Sequence, residues 1–376
     1  MNRFLYVMAT IVMTLMISYG AVSLEDNGAA TPFFEIQQLF EGHRFPSVVV
    51  AMDGTVLAFR ADRNNSPVVV RRSEDGGASW SDVIQIGEQG AHMGAAVVDE
   101  KKGDILAFDA DNIMYRSEDN GLTWREEMTT IHPDALGGVG GTHGADSGIT
   151  LRYGEHKGRI LQPARVYPPG MDNSLPFRPY IYNSAIYSDD GGRTWQTSTP
   201  FPVLGTGEGA LAELTDGRIY YNSREHMTHG NRYIACSEDG GATWLGPTRC
   251  AYLPDGMRGS AYGCMAGLTR LPVDDADILV YSNLDADGGE GGSGRRNITV
   301  WVSFDGGQSW PVKRLVFDGP SAYSSMTAGR PATPSEGYIY LLFEGGPEGQ
   351  YSAIQIARFN LAWILDGREI NEFLDR

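Results

Sequence analysis

Cysteine is nearly missing from this chain. Three in 376 residues, Cys236, Cys250 and Cys264, allow at most one disulfide with a thiol left over, which excludes a disulfide-stapled scaffold. Positive charge is short as well. Thirty Lys and Arg stand against 47 Asp and Glu, a net charge of −17, and this balance excludes nucleic acid or an anionic membrane surface as the main partner. A small anionic ligand is still compatible, because a local group of arginines can invert the field inside one pocket. Helical periodicity, low-complexity linkers and metal-ligand spacings are also missing, which argues against a helical bundle, a second domain, or a metal site. A long apolar run does occur at the N-terminus, from Phe4 to about Val22, behind Arg3 and with small residues Ser18, Gly20, Ala21 and Ser23 at its exit. Residues 1–23 therefore read as a secretory signal peptide, or as a membrane anchor if uncleaved, and the expected location is secreted or periplasmic.

What the chain has in abundance is glycine, 48 of them, with 18 Tyr, 14 Phe and 7 Trp, a composition of short strands and tight turns. Five times it writes Ser-x-Asp-[Gly/Asn]-Gly-x-[Ser/Thr]-Trp: Ser73–Trp80, Ser117–Trp124, Ser188–Trp195, Ser237–Trp244 and Ser303–Trp310. Each copy makes sense as a turn. The Asp bonds amides across the bend, Gly takes the positive φ, and Trp covers the apolar side. Successive copies start 44, 71, 49 and 66 residues apart, which are blade-like lengths with insertions after the second and fourth. An all-β propeller over residues 24–376 follows, with one face tailored for a ligand by uneven loops. Runs such as Ser47–Val50, Val56–Phe59, Ile105–Phe108, Ile219–Tyr221, Ile278–Tyr281, Thr299–Val302 and Tyr338–Phe343 read as strands. The segment Thr31–Phe40 reads as the opening strand, and the tail Ile354–Arg376 as what closes the ring.

The repeated element resembles the Asp box of the sialidase superfamily, and the resemblance extends from about Arg44 to Glu344. It implies a six-bladed propeller. Arg44-Phe45-Pro46 ahead of the strand Val56–Phe59 is similar to the family's opening Arg-Ile-Pro, making Arg44 the first arginine of a carboxylate-binding triad. Arg224, in Asn222-Ser223-Arg224, and Arg295, ahead of the fifth box, take the other two places. Arg296 is an alternative to Arg295, since alternation lets only one of the two face the site. Three converging guanidiniums repel one another unless acids sit among them, and their forks suit a carboxylate. The resemblance further implies Tyr323, in Ala322-Tyr323-Ser324, as nucleophile, Glu208 as its base, and Glu344 as the partner of Arg44. A tyrosine suits a sugar whose anomeric carbon bears a carboxylate, because a neutral phenol approaches where an anionic side chain is repelled.

The chain departs from the family at the loop that should supply a general acid. Arg63 matches a family arginine, yet the short loop Asn64–Pro67 carries no carboxylate. Asp62 is the nearest, on the wrong side of Arg63. His143 and Asp146, in the glycine-rich insertion Gly140–Gly148, are further candidates. The implied activity is exo-α-sialidase: a glycoside hydrolase acting on sialylated or related acidic glycans, expected as a monomer and with no cofactor. Alternatives are a hydrolase for a deaminated or eight-carbon 2-keto sugar acid, or a carbohydrate-binding propeller with weakened chemistry.

Overall fold

The computed structural model describes residues 31–42, 44–61, 67–87, 93–109, 112–227, 230–256, 263–285 and 295–374. The N-terminal apolar run, Asp62 and Arg63 lie outside the described residues. Strands dominate. Helix is confined, among the described residues, to a 3-10 turn Arg178–Tyr180 and two short segments, Leu361–Leu365 and Asn371–Leu374, and none is long and apolar enough to cross a membrane.

Among the described residues the strands form five sheets, antiparallel but for one pair, in a β-propeller-like arrangement. Three contain four strands each in meander order, beginning with Arg44–Val50, Met93–Asp99 and Thr206–Glu213. A fourth is built on Ile160–Val166 and Tyr182–Ser188, with Thr130–His132 added in parallel to Thr194–Thr197. The largest runs through the 17-residue strand Val312–Ala328. Its first part pairs with Arg296–Ser303 and its second, from Ser321 onward, with Ile339–Gly345. The strand Phe34–Glu41 pairs with Ala353–Phe359, so the first and last described strands are stitched together by a backbone ladder.

The inner strands touch one another in a closed cycle, and Arg44–Val50, Ile160–Val166 and Thr206–Glu213 are buried along their length. Arg44–Val50 contacts Met93–Asp99, which meets Ile160–Val166. Next come Thr206–Glu213, Gly267–Arg270 and the second part of Val312–Ala328, which returns to Arg44–Val50. Hydroxyls tie these strands across the axis. Ser147 Oγ donates to the Val48 carbonyl and lies 2.9 Å from Ser47 Oγ, while Ser325 Oγ accepts from the Val48 amide.

All five boxes form the same turn. In each, the Ser hydroxyl donates to the Asp, the amide of the Gly at the fifth position donates to the Ser hydroxyl, and the Asp accepts from the amide and hydroxyl of the following Ser or Thr. Gly76 and Gly77 have φ of +67° and +89°, as the reversal requires. Trp195, Trp244 and Trp310 are buried; the indoles of Trp80 and Trp124 are half-buried. The three cysteines are unbridged, two of them buried among apolar neighbours.

Candidate active site

At one end of the cycle the inner strands lose their regular register. Shifts fall between Arg44 and Ser47, Gly207 and Gly209, and Ser321 and Ser324, so a bulge opens each strand at the same mouth and re-aims its side chains. Two of the re-aimed residues take backbone conformations that side chains avoid: Phe45 at φ +61° and Glu208 at φ +64°. Such conformations persist where neighbours over-determine them. Arg232, wholly buried, donates to the Glu208 carbonyl and to Asp255 and the Cys264 carbonyl, while Glu344 accepts from the Phe45 amide at 2.9 Å.

The bulges bring together Arg44, Glu208, Arg224, Arg295, Tyr323 and Glu344, all buried. The Tyr323 hydroxyl donates to Glu208 Oε1 at 2.5 Å. Arg224 donates to the other carboxylate oxygen. Glu344 grips Arg44 with both oxygens, at 3.1 and 3.2 Å from Nε and Nη2, and also accepts from the Tyr323 amide. The guanidinium carbons of Arg44 and Arg295 lie 4.8 and 5.1 Å from the centre of the Tyr323 ring. Arg295 donates to Tyr351 Oη and the Gly263 carbonyl; Arg296 is exposed, so alternation resolves in favour of Arg295.

Electrostatics follow from this crowding. Burial alone would raise the Glu208 carboxyl, but Arg224 and then Arg165 outweigh it and hold the group far below the ordinary carboxylate range. Burial and the adjacent Glu208 raise the Tyr323 phenol, with Arg224, Arg295 and Arg44 opposing. The resting pair is thus a neutral phenol donating to a carboxylate. Arg224 Nε is buried with no hydrogen-bond partner, a costly state that an incoming anion would relieve.

The two acid candidates of the glycine-rich insertion part company. The Asp146 carboxylate accepts from Ser325 Oγ at 2.7 Å and from the Leu268 and Ser147 amides at 2.8 Å each, and it is buried. It pins inner strands together rather than facing the Tyr323 hydroxyl. His143 is half-buried, stacks on Tyr167 and lies 2.9 Å from its hydroxyl.

Sequence reasoning missed Arg165, Tyr167, His226 and Tyr351. Arg165 donates to Glu208 Oε1 at 3.1 Å and to Tyr167 Oη at 2.7 Å. Tyr351 lies under Arg44, 4.3 Å from the guanidinium carbon to the ring centre. A charged residue inside the buried run Ile160–Val166 was the available signal for Arg165; Tyr351, in a glycine-rich loop, offered none.

The recurring boxes and the ring of strands define a class that the comparisons bear out: the BNR repeat-like domain matches residues 108–341. The chain belongs to the sialidase superfamily of BNR-repeat proteins. It is similar to the sialidase of Micromonospora viridifaciens, 30% identical over 368 residues, covering 86% of this chain and 52% of that protein. The Vibrio cholerae sialidase is 26% identical over 289 residues, 67% of this chain and 35% of the other. The chain thus spans about half or less of the length of these relatives. Among solved structures, the intramolecular trans-sialidase of Ruminococcus gnavus, in complex with oseltamivir carboxylate, superposes with a TM-score of 0.64 at 14% identity, over 87% of this chain and 95% of that one. The Trypanosoma rangeli sialidase, solved with 2,3-difluorosialic acid as a covalent intermediate, gives 0.61 at 18% identity, over 86% and 54%. At these identities the structural matches speak to the fold.

Proposed function

We propose that the chain is an exo-acting glycoside hydrolase that releases a terminal 2-keto sugar acid, sialic acid, with retention through Tyr323. The observation that carries this is the Tyr323 hydroxyl donating to Glu208 inside a group of arginines. In this reading Arg44, Arg224 and Arg295 take the substrate carboxylate, and Tyr323 Oη attacks the anomeric carbon as its proton passes to Glu208. The glycosidic oxygen leaves with a proton from an acid. Water then attacks the same carbon, giving a proton to the conjugate base of that acid, the Tyr323–carbon bond breaks, and Glu208 returns its proton to the phenolate oxygen. Inversion at each step gives net retention.

The acid is assigned to His143 or to Asp62, which lies outside the described residues; Asp146 has its oxygens engaged elsewhere. The fold is read as six blades, with Val312–Ala328 serving as the outer strand of the fifth and the inner strand of the sixth. The segment 1–23 directs the monomeric protein out of the cytoplasm, where sialylated glycans are the substrate.

Hydrolysis of a fluorogenic aryl sialoside beside sialyl-lactose, for wild type and Tyr323→Phe, tests the reading. Release from both, abolished by the substitution, supports it. Retained binding of sialic acid with neither substrate cleaved would replace it with a carbohydrate-binding propeller, and cleavage only of a deaminated analogue would change the sugar.

A further inference from the structure

Glu208 is held by two guanidiniums, and only one belongs to the triad. The second, Arg165, stands on the inner strand Ile160–Val166 and is almost wholly buried. Its fork is fixed on three sides: Nη1 donates to Tyr167 Oη at 2.7 Å, and Nη2 to Glu208 Oε1 at 3.1 Å, with His226 Nε2 at 3.5 Å from the same nitrogen. A shared donor means that His226 presents an acceptor and is neutral. Burial, then Arg224 and Arg165, keep it so. The space for this fork comes from Gly207. A Cβ there would sit 2.4 Å from Arg165 Nε and 2.9 Å from both Nη2 and His226 Nε2.

The oxygen that Arg165 grips is the one that accepts the Tyr323 proton. One cation therefore sets both where Oε1 lies beneath the phenol and how readily that oxygen takes up a proton from solvent. Every element packed around Glu208 contributes to its field. Arg224 and His226 come from the strand Ile219–Glu225 and the residue after it, Tyr323 from Val312–Ala328, and Arg295 and Cys264 from neighbouring segments. Arg232 holds the Glu208 carbonyl, and uncharged Gly144, next to His143, covers its side chain. Of the cations, Arg165 alone meets Oε1 directly among the described hydrogen bonds.

We propose that Arg165 is a positioning residue for the Tyr323–Glu208 pair: it fixes Oε1 against the phenol and keeps Glu208 ionised under acid conditions, extending activity to pH values at which Arg224 alone would not suffice. The inference rests on the hydrolase reading above. It moves no proton of its own. Its effect is to keep the base empty until the nucleophile attacks.

The test is the pH profile of kcat/KM from pH 4 to 8 for the full chain, on the fluorogenic aryl sialoside, with Arg165→Met and Arg165→Lys. With the wild-type carboxyl held far below this range, the Met variant is expected to bring into it an acid limb that wild type lacks, since burial then opposes ionisation against one cation fewer. kcat should fall more than KM rises. The Lys variant, which keeps the charge but not the fork, should bring in no such limb while lowering kcat. Circular dichroism and melting at pH 7 establish folding. Should the Met variant not fold, Gly207→Ala, which displaces the fork without removing it, is read in the same way. An active wild type whose variants lose activity uniformly across pH, or not at all, overturns the inference. An inactive wild type overturns the hydrolase reading and this inference with it.

Discussion

Asp146 makes the pH dependence of folding predictable. Its carboxyl is buried within the ring of inner strands, and burial raises it from 3.8 to about 7 against the opposing bonds from Ser325, Leu268 and Ser147. A folded value above the unfolded one means that the folded state binds the extra proton between about pH 4 and 7. Stability therefore falls as pH rises through that window and levels off above it. Integrating between pH 4.5 and 7.5, with 1.36 kcal/mol per pK unit, gives a loss of about 3 kcal/mol. Asp146→Asn removes the titration. Its oxygen can still accept from Ser325 and Ser147, while its amide faces the Leu268 N–H and forfeits that bond, at a pH-independent cost of about 1–3 kcal/mol. Urea melts of both proteins at the two pH values isolate the effect, because other titrating groups cancel in the difference. Wild type should lose about 3 kcal/mol relative to the variant on going to pH 7.5. A difference that stays constant, or grows in favour of wild type, would refute the placement of an isolated buried carboxyl at this position.

Three further outcomes are expected. Glu344→Ala leaves Arg44 buried without its carboxylate, which should destabilise the fold by about 3–5 kcal/mol in denaturant melts and raise KM for the sugar acid. Asp190→Ala removes the acceptor of one box turn; because that turn is exposed, the loss should be only about 1–2 kcal/mol, with kcat/KM unchanged. Gly207→Ala, at a position of ordinary φ, should lower activity through the crowding of Arg165 and His226 and leave secondary structure by circular dichroism intact.

Much of this protein was legible before any tertiary structure. The boxes announce themselves because their hydrogen bonds run between residues two to four apart, so a short window of sequence contains the whole turn. The strands between them follow from alternation and β-branched content, and Thr31–Phe40 and Ile354–Arg376 read as the opening and closing segments, where the structure pairs Phe34–Glu41 with Ala353–Phe359. The ordered site residues were legible too, but through likeness to a family rather than through spacing: Arg44 and Glu344 are 300 positions apart and nothing local connects them.

Only the tertiary structure decided how those residues meet. Bulges at one mouth of the ring turn Glu208 into an αL conformation that its sequence does not demand, and Arg232 holds it there by a bond from another strand. The same long-range geometry gave Asp146 a pinning role and brought in Arg165, Tyr167, His226 and Tyr351. A local pattern can specify a turn or a strand, because its energy lies within a few residues. The protonation and reach of a buried side chain depend on charges and donors delivered by distant strands, and these exist as a field only once the ring has closed.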